Sequence, residues 1–279
     1  MKLAISITLL VTMFATLLSG CTQQNTEGLT ITVIGRDSTS GTREFFWEHV
    51  MEKTDFTPSL LDKSSNGAVQ QTVAQTPGAI GYVGLGYVDN TVKAITIDGI
   101  QATVDNVHAG TYPIARNLYM YTKGEATNLA NEYITYFQST QGQIIVQDEG
   151  FVTLTDTTTY NSTGKTPSGE LSISGSTTVL PIAEKIATAF MDMYPDVTII
   201  ISGGGSGAGI SSVSQGTVDI GMSSRELKES ESNLGLTKYT IASDGIAIIV
   251  NPSNTYADNL TTEQLKKIYQ GEITNWNDL

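Results

Sequence analysis

Apolar and polar positions alternate over residues 29–34, Leu-Thr-Ile-Thr-Val-Ile, which predicts a strand. The polar loop Gly-Arg-Asp-Ser-Thr-Ser-Gly-Thr at 35–42 separates it from a helix over 43–52, where Phe45, Phe46, His49 and Val50 recur at helical spacing. The same design returns twice. A strand over 171–174, the loop Gly175-Ser176-Thr177-Thr178 and a helix with Ile182, Ile186 and Phe190 on one face form the second copy. A strand over 197–201, the glycine-rich stretch 202–209 and a helix to about 215 form the third.

Elsewhere the pattern predicts a helix with Val69 and Val73 after the polar loop 64–67, and a glycine-interrupted strand over 79–84. Strands follow over 92–100 and 114–121, then helices around 129–137 and 141–149. A short buried strand over 218–221, an apolar strand over 246–250 and a last helix over 262–269 complete the reading. Strands alternating with helices predict an α/β fold with mostly parallel sheets. Residues 153–169, seven of 17 of them Thr, show no apolar period and read as a flexible linker.

Upstream of residue 29 the pattern changes to Lys2, an uncharged apolar run over 3–18, and Leu-Ser-Gly-Cys at 18–21. At about 16 residues the run falls short of the roughly 20 that a membrane span needs, and it reads as an export signal. Leu-Ser-Gly-Cys resembles the lipobox of prokaryotic lipoproteins, which implies lipidation of Cys21 and a polar tether over 22–28. The expected location is the extracytoplasmic face of the cell membrane, held by that lipid.

Composition narrows the function. The 279 residues carry 15 Lys+Arg against 28 Asp+Glu, a formal charge of −13, with two His and one Cys. No broad basic patch for nucleic acid can be drawn from that balance, and a single Cys excludes a disulfide framework and argues against a zinc site. The charge also argues, at first sight, against an anionic ligand. Yet each strand–loop–helix unit ends at a helix N-terminus, whose unpaired N–H groups and partial positive charge suit an anion. Ser or Thr there is also ordinary capping. Three such loops, one carrying Arg36 with its planar and always-charged donors, favour anion binding.

Enzyme readings fit less well. Gly203-x-Gly205-x-x-Ala208 satisfies a loose dinucleotide fingerprint, but Asp219 comes too early to be its acidic partner. Gly204-Gly205-Ser206-Gly207-Ala208 misses the last glycine of a nucleophile elbow, and both His49 and His108 precede Ser206. His49 and the neighbouring Phe45, Phe46 and Trp47 read as packing, Trp276 as structural, and His108 as an exposed loop residue. Binding without catalysis, cofactor or metal is the expected class.

Six segments carry a family resemblance: 34–46, 77–83, 175–181, Ser-Gly-Gly-Gly-Ser-Gly-Ala-Gly at 202–209, Val-Asp-Ile-Gly-Met-Ser-Ser-Arg at 218–225, and Gly-Glu-Ile-Thr-Asn-Trp at 271–276. Together they resemble the substrate-binding proteins of phosphate-specific ABC transporters. The resemblance implies two α/β lobes of the periplasmic-binding-protein type that close on one phosphate and hold it by hydrogen bonds. It implies Arg36, Ser40, Gly41 and Thr42 as donors from one lobe, and Ser176, Thr177 and Thr178 from the other, joined by Ser206. Ser224 stands where well-known members carry an aspartate that accepts a phosphate proton, which leaves selectivity against sulfate or molybdate open. The order of the motifs is exchanged: the family's second half comes first. That order reads as a circular permutation joined through 153–169, or as part of a tandem array. The expected lobes are 29–110 plus 251–279, and 111–250, with a hinge near 112–114 and 247–251. The implied partners are inorganic phosphate and permease subunits, with the chain itself a monomer.

Overall fold

The computed structural model describes residues 29–162 and 166–279; the apolar run, Cys21 and the segment 22–28 lie outside the described residues, as do 163–165. The first half forms β1 (Thr32–Arg36), α1 (Gly41–His49), β2 (Leu61–Lys63), α2 (Asn66–Gln75), β3 (Ala79–Gly84), β4 (Lys93–Ile97), α3 (Val104–His108), β5 (Ala115–Lys123), α4 (Asn128–Gln138) and α5 (Thr140–Asp148). The second half forms β6 (Gly169–Gly175), α6 (Leu180–Met193), β7 (Val197–Ser202), α7 (Ser206–Gln215), β8 (Ile220–Ser223), β9 (Leu236–Val250), β10 (Asn259–Leu260) and α8 (Thr262–Gln270).

Local chemistry explains many of these boundaries. Ser40 caps α1 by accepting from Arg43 N, Ser65 caps α2 through Ala68 N, and Thr261 and Gln264 form a reciprocal capping box on α8. Helix α7 stops at Gly216, whose φ of 70° is the left-handed turn that favours glycine.

The strands run in the order β2-β1-β3-β9-β5-β8-β6-β7, with β4 beside β9 and β10 beside β4. Each half contains parallel βαβ pairing, β1 with β2 and β3, and β6 with β7 and β8. The expectation of mostly parallel sheets gives way to a mixed sheet. Long β9 pairs antiparallel with β3, β4 and β5, and β5 pairs antiparallel with β8.

Two large apolar cores result among the described residues, with a small third cluster of Tyr119, Tyr121, Ile210 and Val213. One collects residues from Ile31 to Ile114, Val152 and Ile246 to Trp276; the other runs from Leu118 to Phe151 and on to Ala242. Tyr112, Ile114 and the strand segment 246–250 therefore pack in the first core, whereas the sequence reading placed them in the second lobe. The chain crosses between cores at three places: within β5, within β9 and at Val152, whose N–H donates to Ser243 O (3.0 Å). The β5/β9 ladder shifts register between Leu118 and Tyr119, beside that crossing.

The threonine-rich stretch is docked where it is described. Thr140 N donates to Thr158 O (2.9 Å), and Tyr160 is buried with its hydroxyl on Glu132 Oε2 (2.7 Å) and its ring 5.2 Å from Tyr136. One aromatic anchor in a polar run overrides the linker composition. His108 lies on α3 rather than in a loop, and His49 is exposed, stacked on Phe45 at 3.8 Å. Trp276 is buried, and its indole N–H donates to Gly78 O (3.0 Å).

Candidate functional site

The three strand–loop–helix units converge on one another between the two large cores, at the proposed cleft. The N-terminus of α1 carries Ser40, Gly41 and Thr42, that of α7 begins at Ser206, and the turn Ser176-Thr177-Thr178 leads into α6. Gly207 N donates to Thr39 O (3.0 Å), and Thr39 Oγ1 donates to Gly204 O (3.1 Å), so the first and third loops touch across the cleft. Thr42 Oγ1 lies 3.2 Å from Thr178 Oγ1, which brings the first and second together. A side chain at Gly41 would collide with Ser206 Oγ and sit 2.8 Å from Ser224 Oγ. Ser206 Oγ in turn accepts from Ser224 N (3.0 Å) and lies 3.3 Å from Ser224 Oγ.

The expected site residues are thus brought together, though in unequal roles. Gly41, Thr42, Thr178, Ser206 and Ser224 meet directly. Ser40 Oγ caps α1 by accepting from Arg43 N (3.2 Å), which leaves its O–H to donate, and Ser176 Oγ accepts from Thr178 N (3.2 Å). Thr177 is held through its carbonyl, which accepts from Tyr87 Oη (2.6 Å). Burial pushes the Tyr87 phenol up to about 12, so it remains a donor. Arg36 is buried, its Nε and Nη2 donating to Lys63 O and Ser64 O (both 3.1 Å). The Asn66 amide is best satisfied with its oxygen toward the cleft, accepting from Arg36 Nη1 (3.3 Å) and from the hydroxyls of Thr177 (3.2 Å) and Thr178 (3.0 Å).

Three site residues escape the sequence reading: Asn66, Arg116 and Asp244. Arg116 in β5 and Asp244 in β9 are register partners across the antiparallel ladder. Arg116 Nη2 donates to Asp244 Oδ2 (2.9 Å) and also to the hydroxyls of Thr42 (3.0 Å) and Thr178 (3.2 Å). The other Asp244 oxygen accepts from Leu85 N (2.9 Å), so each is held by the protein. Burial drives the Asp244 carboxyl up and the guanidinium groups of Arg116 and Arg36 down, with the Arg116–Asp244 contact opposing both of its own shifts. A polar residue inside an apolar run, Asp244 after Ile241-Ala242 and before 246–250, is the signal that could have found the pair.

Electrostatics now favour an anion. Two guanidinium groups are buried here, Arg116 against the buried Asp244 and Arg36 near the partly buried Asp37, and the N-termini of α1 and α7 add partial positive charge. Arg225, next to Ser224, is already neutralised by both oxygens of Glu231 (2.7 and 2.8 Å). Among the described residues no cluster of His, Cys, Asp or Glu could hold a metal ion.

A family model described as the PBP superfamily domain matches residues 2–141 and 161–279. Phosphate-binding protein PstS 2 of Streptococcus agalactiae is 36% identical over 275 residues, covering 94% of this chain and 93% of its own length. The chain belongs to the PstS family. A crystal structure of the phosphate-binding protein of a phosphate ABC transporter from Streptococcus pneumoniae TIGR4 superimposes with a TM-score of 0.71 at 38% identity, covering 89% of this chain and 99% of that one. The PstS of Bacillus subtilis matches differently, at 41% identity over 128 residues, 45% of this chain and 42% of its own.

Within this PstS-family fold one ion pair joins the lobes at the rim: Lys228 Nζ reaches Glu44 Oε2 at 2.8 Å, both partly exposed. Such a pair is worth well under about 1 kcal/mol and is screened by salt. Glu44→Gln is expected to weaken ligand affinity only about twofold at low ionic strength, and the difference should vanish in about 0.5 M salt when binding is compared by calorimetry.

Proposed function

We propose that this chain binds inorganic phosphate reversibly in the inter-lobe cleft and delivers it to an ABC permease, as a lipid-anchored extracytoplasmic protein. The observation that carries the reading is the convergence of three hydroxyl- and N–H-rich loops on a pocket with two buried arginines and one buried carboxylate. Arg36, Gly41, Thr42, Thr178, Ser206 and Ser224 are the proposed contacts, with Ser40, Ser176 and Thr177 shaping the loops that present them. Phosphate keeps a proton near neutral pH and needs an acceptor as well as donors. The paired Ser206 and Ser224 hydroxyls keep an acceptor site beside the α1 N-terminus, whereas Asp244 Oδ2 already takes two N–H groups of Arg116 and Oδ1 takes Leu85 N. Nothing in this arrangement requires bond making or breaking, so the role is binding rather than catalysis.

The exchanged order of the halves is part of the same reading. An alignment that follows one direction can track only one half against a relative with the other order. The match to the Bacillus protein over 45% of this chain supports that, beside the 94% match to the streptococcal one. Ile31 N donates to Thr274 O (2.9 Å) and Trp276 N to Leu29 O (3.0 Å), so the two segments that such an exchange would separate lie side by side.

Calorimetry with phosphate, sulfate and molybdate tests the ligand. Phosphate is expected to bind with the highest affinity; no heat with phosphate, or a preference for sulfate, would overturn the reading.

A further inference from the structure

We infer that Arg116 is a second anion-binding guanidinium, fixed on the crossover strand β5 so that its outer edge meets the bound oxyanion between Thr42 of one lobe and Thr178 of the other. The inference rests on the reading of the cleft as a phosphate site and adds to it a residue outside the loops that define the family resemblance.

The geometry separates the two edges of this guanidinium. Nε (3.3 Å) and Nη2 (2.9 Å) fork onto Asp244 Oδ2, and Asp244 is locked from behind by Leu85 N. A structural ion pair needs no more than that. Nη2 nevertheless reaches onward to the hydroxyls of both Thr42 and Thr178, and Nη1 beside it has no hydrogen-bond partner among the described residues. The side chain is 2% exposed, so solvent cannot readily satisfy that nitrogen, and a buried unpaired donor is costly. Nη1 offers free N–H donors, and the outward N–H of Nη2 is shared between two hydroxyls that a tetrahedral oxyanion could displace, so the edge can meet two of its oxygens.

Charge points the same way. Asp244 offsets Arg116 directly, whereas Arg36 hydrogen-bonds to carbonyl and amide oxygens and feels the partly buried Asp37 only through its field. The fully buried charges of the site are therefore two guanidinium groups and one carboxylate, a balance that an oxyanion suits. Because β5 and β9 carry the chain from one core to the other, an anion on Arg116 touches both lobes and the strands that join them.

The decisive comparison is the neutral double variant Arg116→Gln/Asp244→Asn, which keeps a hydrogen-bonded pair of similar shape and leaves no buried charge unpaired. Its phosphate affinity by calorimetry is expected to fall about 20-fold, while the ligand-free melting temperature stays close to that of the wild type. Phosphate binding within about twofold of wild type would make Arg116 only the counter-ion of Asp244 and would sink the inference. Should the double variant not fold, Arg116→Lys carries the test: it keeps the charge but lacks the second nitrogen of the edge. A loss of about fivefold supports the assignment, and unchanged affinity overturns it. Failure of the wild type itself to bind phosphate would remove the functional reading and this inference together, a result distinct from a wild type that binds and variants that match it.

Discussion

Gly41→Ala is expected to lower phosphate affinity by at least about 100-fold while leaving the ligand-free protein as stable as the wild type or slightly more so. Gly41 is the first residue of α1, with ordinary helical geometry, so alanine there is locally favourable. The obstacle lies across the cleft. An added Cβ would run into Ser206 Oγ, and would sit 2.8 Å from Ser224 Oγ and 2.9 Å from Ser206 Cβ. Those atoms belong to α7 and to the segment after β8, on the other lobe, and both residues are buried. Neither side chain has slack, because Ser206 Oγ accepts from Ser224 N and the start of α7 is tied to Thr39 through Gly207 N. Overpacking of a tight contact costs about 1–3 kcal/mol, and loss of the α1 N–H groups as donors adds to it. The clash exists only with the lobes together, so thermal melts without phosphate should be unaffected and the melting shift on adding phosphate should disappear. A variant whose phosphate affinity lies within about tenfold of wild type would show that α1 does not meet α7 across the ligand.

The same geometry resolves a conflict in the composition. A chain at −13 looks hostile to an anion, yet the carboxylates are mostly solvated and act at a distance that salt screens. At the cleft, short-range donors decide: helix N-termini, hydroxyls and two guanidinium groups taken out of water, where each interaction is stronger. Net charge of the whole chain then bears on approach more than on affinity.

The loops of the proposed site are legible in the sequence for a physical reason. Helix capping and anion binding use the same local groups, so Ser40, Gly41, Thr42, Thr178 and Ser206 stand out within single loops of the sequence. Arg116 and Asp244 do not. They are 128 positions apart, and only the antiparallel register of β5 and β9 sets one against the other. That register was itself hidden, because the pattern shows only the apolar end of β9 at 246–250 and not its half-polar beginning from Leu236. Asn66 was missed because it follows an ordinary Ser65 cap, and its reach to Thr177 and Thr178 spans 111 and 112 positions. The docked threonine-rich stretch failed for the opposite reason: composition describes the average residue, and Tyr160 is the exception that packs.

Phe46→Ala is expected to cost about 3–5 kcal/mol in stability, the largest effect of any single truncation on α1. The ring is fully buried, 4.4 Å from Tyr82 and 4.7 Å from Tyr269, and it completes an aromatic cluster with Phe56 at 6.3 Å. Each neighbour also holds part of the site. Tyr82 Oη accepts from Arg36 N (3.1 Å), and Tyr269 Oη donates to Ile34 O (3.1 Å), so both phenols fasten β1. Burial pushes the Tyr82 hydroxyl up to about 12, and it stays neutral across the physiological range. Removing the Phe46 ring opens a cavity between α1 and this pair that close packing cannot refill. For a protein of this size each kcal/mol moves the melting temperature by roughly 2–4 °C, so a fall of about 10 °C is expected by differential scanning calorimetry. Phe46→Leu keeps most of the volume and should lose less than half as much. His49→Ala, one turn further on the same helix but exposed, should shift the midpoint by no more than about 1–2 °C. Phosphate affinity should weaken with Phe46→Ala as well, since Gly41 and Thr42 ride on the helix that the ring anchors. A shift below about 3 °C in that variant would mean that α1 is held by its cap and its cross-cleft contacts rather than by its buried face.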